Sequence, residues 1–163
     1  MTIRVGQGFD AHRLAEGRPL WLGGVEVPHE RGLEGHSDGD VLLHAVASAL
    51  LGALGEGDLG LWFPSEDERL RDVPSSDLLA RVVARVRERG FTVGNLDTTV
   101  IAQEPRLGPH RKAITEALAK QLDVPGERVN VKITSTDALG AIGRGEGIAA
   151  QAVVLLEGSD RAR

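Results

Sequence analysis

Two stretches of the chain are almost uninterrupted in apolar residues. Residues 41–54 are broken only by His44, Ser48 and Gly52, and residues 148–156 only by Gln151. The first predicts a helix that is apolar all round and therefore buried. The second predicts a strand with too little polarity for a solvent face. Elsewhere the pattern is amphipathic. Leu78, Leu79, Val82, Val83 and Val86 recur at helical spacing with arginines outside, Ser75 or Ser76 stands ready to cap them, and Gly90 stops them. A third helix packs through Ile114, Ala117, Leu118 and Leu122, takes Pro109 in its first turn and ends before Pro125. Residues 4–14, 18–28, 91–102 and 129–136 read as extended, the second of them with a glycine break.

Glycine and charge mark the joints. Residues 29–35 lead into the buried helix, residues 52–64 form a glycine-rich loop carrying Asp58, and residues 140–147 are a glycine-rich crossing. The strongly charged residues 64–74 read either as a mobile flap or as an ordinary solvated loop. Strands separated by three helices predict an α/β (α+β) fold, a single mostly β sheet covered on one face by helices. The opposite face has to be covered as well, and self-association through it is expected. One domain is expected over residues 1–157, with 158–163 a frayed tail.

Composition narrows the chemistry. With 163 residues and 41% hydrophobic content, the chain can bury a core of its own. No stretch is long and apolar enough to cross a bilayer and no charged-then-apolar leader opens it, so a soluble, cytoplasmic protein is expected, with no membrane partner. A formal charge of −5 and 3% aromatic residues argue against a nucleic-acid partner. With no cysteine there is neither a disulfide nor a thiolate zinc site, so any metal has to be held by histidine and carboxylate.

Candidate ligands of that kind occur in two places. Asp10 and His12 alternate with Ala11 in an extended segment, so both point to one side, with Gly6 and Gly8 bare on the same side. Alone they read equally as a surface pair. In the buried helix, His44 needs a partner. That partner is either Asp40 one turn back, or a metal shared with Asp10 and His12 in a three-ligand set that leaves one position open. In the second case Asp40 would orient His44. Ser37 or Asp38 is the expected N-cap, with Asp40 in the first turn.

Three further clusters suit phosphate or nucleotide. Thr134-Ser135-Thr136-Asp137 ends a strand in hydroxyls and a carboxylate that can carry a hard cation such as Mg²⁺, or simply caps a turn. Residues 102–108 form a rigid loop whose backbone can read a base edge, and His36-Ser37 sits at a helix N-terminus. Arg144 and Glu146 read as a surface turn or as an ion pair at a symmetric subunit junction.

In order and in register, the chain carries G-F-D-A-H, L-x-G-H-S-D-G-D-V-x-x-H-A, G-D-L-G-x-x-F-P, N-x-D-x-T-V-I-A-Q-x-P and G-R-G-E-G. By these motifs it resembles the 2-C-methyl-D-erythritol 2,4-cyclodiphosphate synthases of the non-mevalonate isoprenoid pathway over roughly residues 3–157. The resemblance implies a homotrimeric phosphorus–oxygen lyase with each active site between adjacent subunits and the sheet faces packed around the trimer axis. It implies cyclisation of 4-diphosphocytidyl-2-C-methyl-D-erythritol 2-phosphate with release of CMP. A metal-dependent phosphohydrolase and a non-catalytic trimeric nucleotide- or isoprenoid-phosphate-binding protein are the alternatives.

By the same resemblance, Asp10, His12 and His44 match zinc ligands, and Asp137 stands where a glutamate commonly binds Mg²⁺ or Mn²⁺. His36 and Ser135 match transition-state stabilisers, Ser135 in place of a usual threonine. Ala102, Gln103, Glu104, Pro105, Arg106, Leu107 and Gly108 match the cytidine pocket with Thr134, and Thr136 adjoins it. Asp58, Leu59 and Gly60 match the segment contacting ribose and neighbouring substrate, and Ser37 adjoins His36. Phe63, Pro64, Ser65, Glu66 and Asp67 match a flap over the methylerythritol end. Ala141 replaces a frequent phenylalanine, and Arg144 with Glu146 falls near the threefold axis, beside a cavity suggested to take isoprenoid phosphates.

Overall fold

A computed structural model of the chain describes residues 1–158. Its frame is one long antiparallel pairing. Strand β1 (Thr2–Glu16) runs against β7 (Gly147–Gly158) from Thr2 opposite Gly158 to Arg13 opposite Gly147. β5 (Phe91–Ile101) pairs with the other edge of β7 and carries β6 (Val129–Thr134) parallel to itself, while β4 (Arg31–Leu33) pairs with the far end of β1. The sheet order is β4-β1-β7-β5-β6. The parallel pair needs a crossover, and α4 (Arg111–Leu122) supplies it. The expected second strand is instead a small hairpin of β2 (Leu20–Leu22) and β3 (Val25–Val27). It turns at Gly23 and Gly24, whose φ values of 65° and 83° suit glycine in a two-residue turn.

Helix α1 (Val41–Leu54) lies on the sheet, and twelve of its fourteen residues are buried, as its unbroken apolar run predicts. Gly6 and Gly8 have a different purpose from leaving room at the site. A Cβ on either would collide with the backbone carbonyl oxygen of Ala49 or Ala45, so these glycines let α1 settle directly onto β1. That close approach brings His44 beside Asp10 and His12. Helix α3 (Ser75–Glu88) packs outside α1 through Leu78, Leu79, Val82, Val83 and Val86, all buried. The loop at 52–64 contains a short helix α2 (Leu59–Trp62), and residues 64–74 contain a 3₁₀ turn at Glu68–Leu70.

Local expectations fail where several residues compete for one role. The N-cap of α1 is Asp40, which accepts the Leu43 N–H at 3.0 Å; neither Ser37 nor Asp38 caps it. Pro74 holds the N-cap position of α3, and the Ser75 side chain turns inward instead. Pro109 falls in a 3₁₀ turn (Gly108–His110) ahead of α4, and β6 stops at Thr134, two residues early. Gly158 is the last residue of β7, not part of a frayed tail, and residues 159–163 lie outside the described residues.

One face of the sheet is covered by helices, as the pattern requires, and the other is open in the single chain. Ile3, Val5, Phe9 and Val153 are 56%, 64%, 56% and 44% exposed, unusually high for large apolar residues on adjacent strands. Towards β5 and β6 the same face turns polar, where Lys132 pairs with Asp97 at 2.5 Å.

Beyond α1, Glu56 ties this helix to α3, accepting 2.9 Å hydrogen bonds from Arg85 and a further bond from Arg89. The Arg85 bonds, then Arg89, outweigh desolvation and hold the Glu56 carboxyl below its ordinary value. A depressed carboxylate contributes stability above its unfolded value, and that stability is lost as pH falls through the folded one. Glu56→Gln is therefore expected to lower stability by about 1 kcal/mol at neutral pH, partial exposure of both arginines having been allowed for. In urea titrations the difference should shrink as pH drops below the ordinary glutamate value of 4.5.

Candidate metal centre and two clefts

Strand alternation sets Asp10 and His12 side by side, with His12 Nε2 2.7 Å from Asp10 Oδ2. From α1, His44 Nδ1 reaches the same carboxylate oxygen at 3.1 Å and His12 Nε2 at 3.2 Å. The outer ring nitrogens are held from behind. His12 Nδ1 donates to the Glu34 carbonyl, and His44 Nε2 lies 2.8 Å from Ser75 Oγ and 3.1 Å from Ser37 Oγ. A carbonyl only accepts, so the His12 proton is fixed on Nδ1, and Nε2 is left for a second proton or a cation.

The electrostatics follow from this convergence. Burial pushes the Asp10 carboxyl up, but bonds and charge from His12 and His44 outweigh it and hold the group well below the usual carboxylate range. Burial likewise lowers His12, yet Asp10 more than reverses this and raises it. Two imidazoles and a carboxylate crowded this closely need positive charge between them. The three donor atoms all lie within 4.8 Å of one another, so the set fits a divalent ion with three protein ligands.

Asp40 does not orient His44. It is fully buried and accepts the N–H groups of Gly23 at 2.9 Å, Gly24 at 2.7 Å and Leu43 at 3.0 Å, joining the β2–β3 hairpin to α1. The residues behind His44 are Ser75 and Ser37. Ser75 was legible only as a helix cap, since its partners Asp38 and Ser37 lie 37 and 38 residues away.

The triad forms one wall of a cleft of about 370 Å³. His36, Ser37, Asp58, Leu59, Gly60, Phe63 and Ser65, all expected at the site, line it. Phe9, Ser48, Leu70 and Leu78 line it too and were not anticipated. Ser48 had a readable signal, standing one helical turn beyond His44 in α1. Asp58 is fixed by capping α2 through the Leu61 N–H at 2.9 Å. His36 holds the 64–74 segment, its Nε2 donating to the Asp67 carbonyl at 3.2 Å while its own carbonyl accepts the Asp72 N–H at 3.0 Å. The Asp67 carboxylate turns to Arg69, and Pro64 and Glu66 stay outside the cleft lining.

The remaining expected residues gather elsewhere. Ala102, Gln103, Pro105, Arg106, Leu107, Gly108, Thr134 and Ser135 line a second cleft of about 440 Å³. It shares no residue with the first. Glu104 is turned away to pair with Arg31. Gln103 accepts the Ala138 N–H at 3.0 Å and Thr136 bonds the Leu139 carbonyl at 2.7 Å, shaping the turn that carries Asp137. Asp137 is exposed, with φ 51°, and is not part of the triad. Ala141 lies exposed in α5 (Gly140–Gly143), and Arg144 donates to Glu146 at 2.6 Å within the chain. Asp10 is opposite Ala150, Ala150 opposite Val100, and Val100 opposite Ile133. The strands bearing the two clefts are thus three spacings apart, roughly 14 Å.

The YgbB family profile matches residues 3–157. The chain belongs to the YgbB family. Among its YgbB relatives, the 2-C-methyl-D-erythritol 2,4-cyclodiphosphate synthase of Halalkalibacterium halodurans is 56% identical over 94% of this chain and 98% of its own length. A solved structure of 2C-methyl-D-erythritol-2,4-cyclodiphosphate synthase in a CDP-bound form superposes with TM-score 0.87 at 40% identity, covering 94% of this chain and all of that one. The bifunctional IspDF of Campylobacter jejuni gives TM-score 0.93 at 43% identity over 99% of this chain, which spans 44% of that longer protein.

Proposed function

We propose that the chain is a 2-C-methyl-D-erythritol 2,4-cyclodiphosphate synthase, a phosphorus–oxygen lyase of isoprenoid precursor biosynthesis. The observation that carries this is the convergence of Asp10, His12 and His44 at the wall of an open cleft, in a chain 56% identical to a relative of that name over nearly its whole length. The substrate is 4-diphosphocytidyl-2-C-methyl-D-erythritol 2-phosphate. Its 2-phosphate oxygen forms a new bond to the β-phosphorus, the bond from that phosphorus to the bridging oxygen breaks, and CMP departs with the electron pair. A phosphate nucleophile is already ionised, so no general base is required.

The chain's own work is alignment and charge neutralisation. Holding the two ends in line can supply ~7–11 kcal/mol of a barrier. Asp10, His12 and His44 would hold zinc or a similar divalent ion and Asp137 a Mg²⁺ or Mn²⁺, and such ions supply Lewis acidity to phosphoryl oxygens. Ser135 donates to developing charge through its hydroxyl. His36 donates likewise, but its Nε2–H is engaged by Asp67, so the ring must carry a second proton or release the flap.

Each chain carries a metal half and a nucleotide half in separate clefts, which supports a homotrimer in which the 102–108 loop of one subunit faces the triad of the next. The open face with Ile3, Val5, Phe9 and Val153 packs around the axis, and a central cavity near Arg144 and Glu146 would take an isoprenoid phosphate. No helix among the described residues is long and apolar enough to cross a membrane, and a cytoplasmic site of action completes the proposal. Phosphorus NMR of the reaction with Mg²⁺ is the test. A cyclic diphosphate plus CMP is expected; a linear phosphate plus CMP means metal-dependent hydrolysis, and no turnover means a binding protein.

A further inference from the structure

Behind His44 lies a chain of hydrogen bonds whose direction follows from donor counting. Asp38 accepts at both carboxylate oxygens. Oδ2 takes the Ser75 backbone N–H at 3.0 Å, while Oδ1 takes the Asp40 N–H at 3.1 Å and also bonds Ser75 Oγ. A carboxylate has no proton to give, so the single hydroxyl proton of Ser75 points to Asp38. Ser75 Oγ is left with lone pairs only. At 2.8 Å from His44 Nε2 it has to be met by an N–H, because two facing lone pairs would repel at that distance. Ser37 Oγ, 3.1 Å from both atoms, satisfies Ser75 further by donating to it.

We propose that Asp38 and Ser75 are positioning residues that hold a proton on His44 Nε2, so that Nδ1 is the nitrogen that would meet a cation shared with Asp10 and His12. This rests on the reading of that triad as a metal centre, and it adds two residues from different elements to the machinery. Ser75 is 1% exposed and sits in the first turn of α3, while Asp38 lies just ahead of α1. The relay therefore also locks the two helices to each other at the site. Supporting bonds of this kind typically change metal affinity 10–100-fold when removed.

The test uses the full chain, metal-free and zinc-loaded, as wild type, Ser75→Ala, Ser75→Thr and His44→Ala. Long-range ¹⁵N–¹H correlation spectra read the His44 tautomer directly, chelator competition reads the zinc affinity, and circular dichroism checks the fold. Wild-type His44 is expected to keep a proton on Nε2 with and without zinc, and zinc should leave Nδ1 without one. Ser75→Ala should lose that preference and bind zinc 10–100-fold more weakly. Ser75→Thr, which keeps the hydroxyl, should restore both. A wild-type Nε2 without a proton, in either form, would overturn the relay, as would Ser75→Ala retaining the Nε2 proton and the affinity. Failure of wild type to bind zinc more tightly than His44→Ala would instead overturn the metal reading, leaving the tautomer signature to judge the relay.

Discussion

His44→Ala is expected to abolish CMP release while leaving the chain folded. The substitution removes one of three convergent donors and leaves Asp10 and His12 with an incomplete set. Loss of a single preorganised charge-stabilising contact commonly costs 10²–10³-fold in turnover, and removing an ion's ligand should cost at least as much, on the order of 10³-fold. The fold survives because α1 is held by Leu42, Leu43, Val46, Leu50 and Leu51, which pack away from the cleft wall. Ser37 and Ser75, the former partners of Nε2, remain bonded to each other at 3.1 Å. CMP release, bound metal by elemental analysis and thermal unfolding together decide the matter. Turnover at the wild-type rate would remove His44 from the centre.

The triad was legible because each of its members obeys a short-range rule. Alternation in an extended segment aligns Asp10 with His12, and an unbroken apolar run buries His44 and makes a lone imidazole conspicuous. The meeting of the two segments was not legible from periodicity. It depends on Gly6 and Gly8 admitting the α1 backbone, a contact between residues some 40 positions apart. The order of helices and most strands followed from their patterns, and from Ala150 onward the buried and open faces of β7 alternate as its neighbours require.

What the sequence concealed lies where several small polar residues compete. Between residues 36 and 40, one serine and two aspartates are all good capping groups. Which one caps depends on what the others find across the fold. Asp40 takes the cap because the Gly23 and Gly24 N–H groups arrive to satisfy its second oxygen and part of its first. Asp38 is drawn instead to Ser75, and Ser75 to His44. The residues expected to hold nucleotide gathered as a group, but in a cleft of their own, which one chain's strand order separates from the triad.

In the proposed trimer that separation makes assembly a condition of activity, and the double variant Val5→Glu, Val153→Glu should expose it. Both side chains stand on the open sheet face and neither lines a cleft. Covering each valine contributes roughly 1.5–3 kcal/mol, and burying an unpaired carboxylate in its place costs several kcal/mol more. The penalty recurs in every subunit of the proposed trimer, so sedimentation velocity should report a monomer for the variant and a trimer for the unmodified chain. In the monomer the new carboxylates face water, and unfolding of the isolated chain should change little. Zinc binding should persist, since Asp10, His12 and His44 belong to one chain, whereas CMP release should fall on the order of 10²-fold or more as substrate alignment is lost. A monomer turning over at full rate would mean that one chain's clefts suffice. A variant that stays trimeric would mean that the subunits meet through another surface.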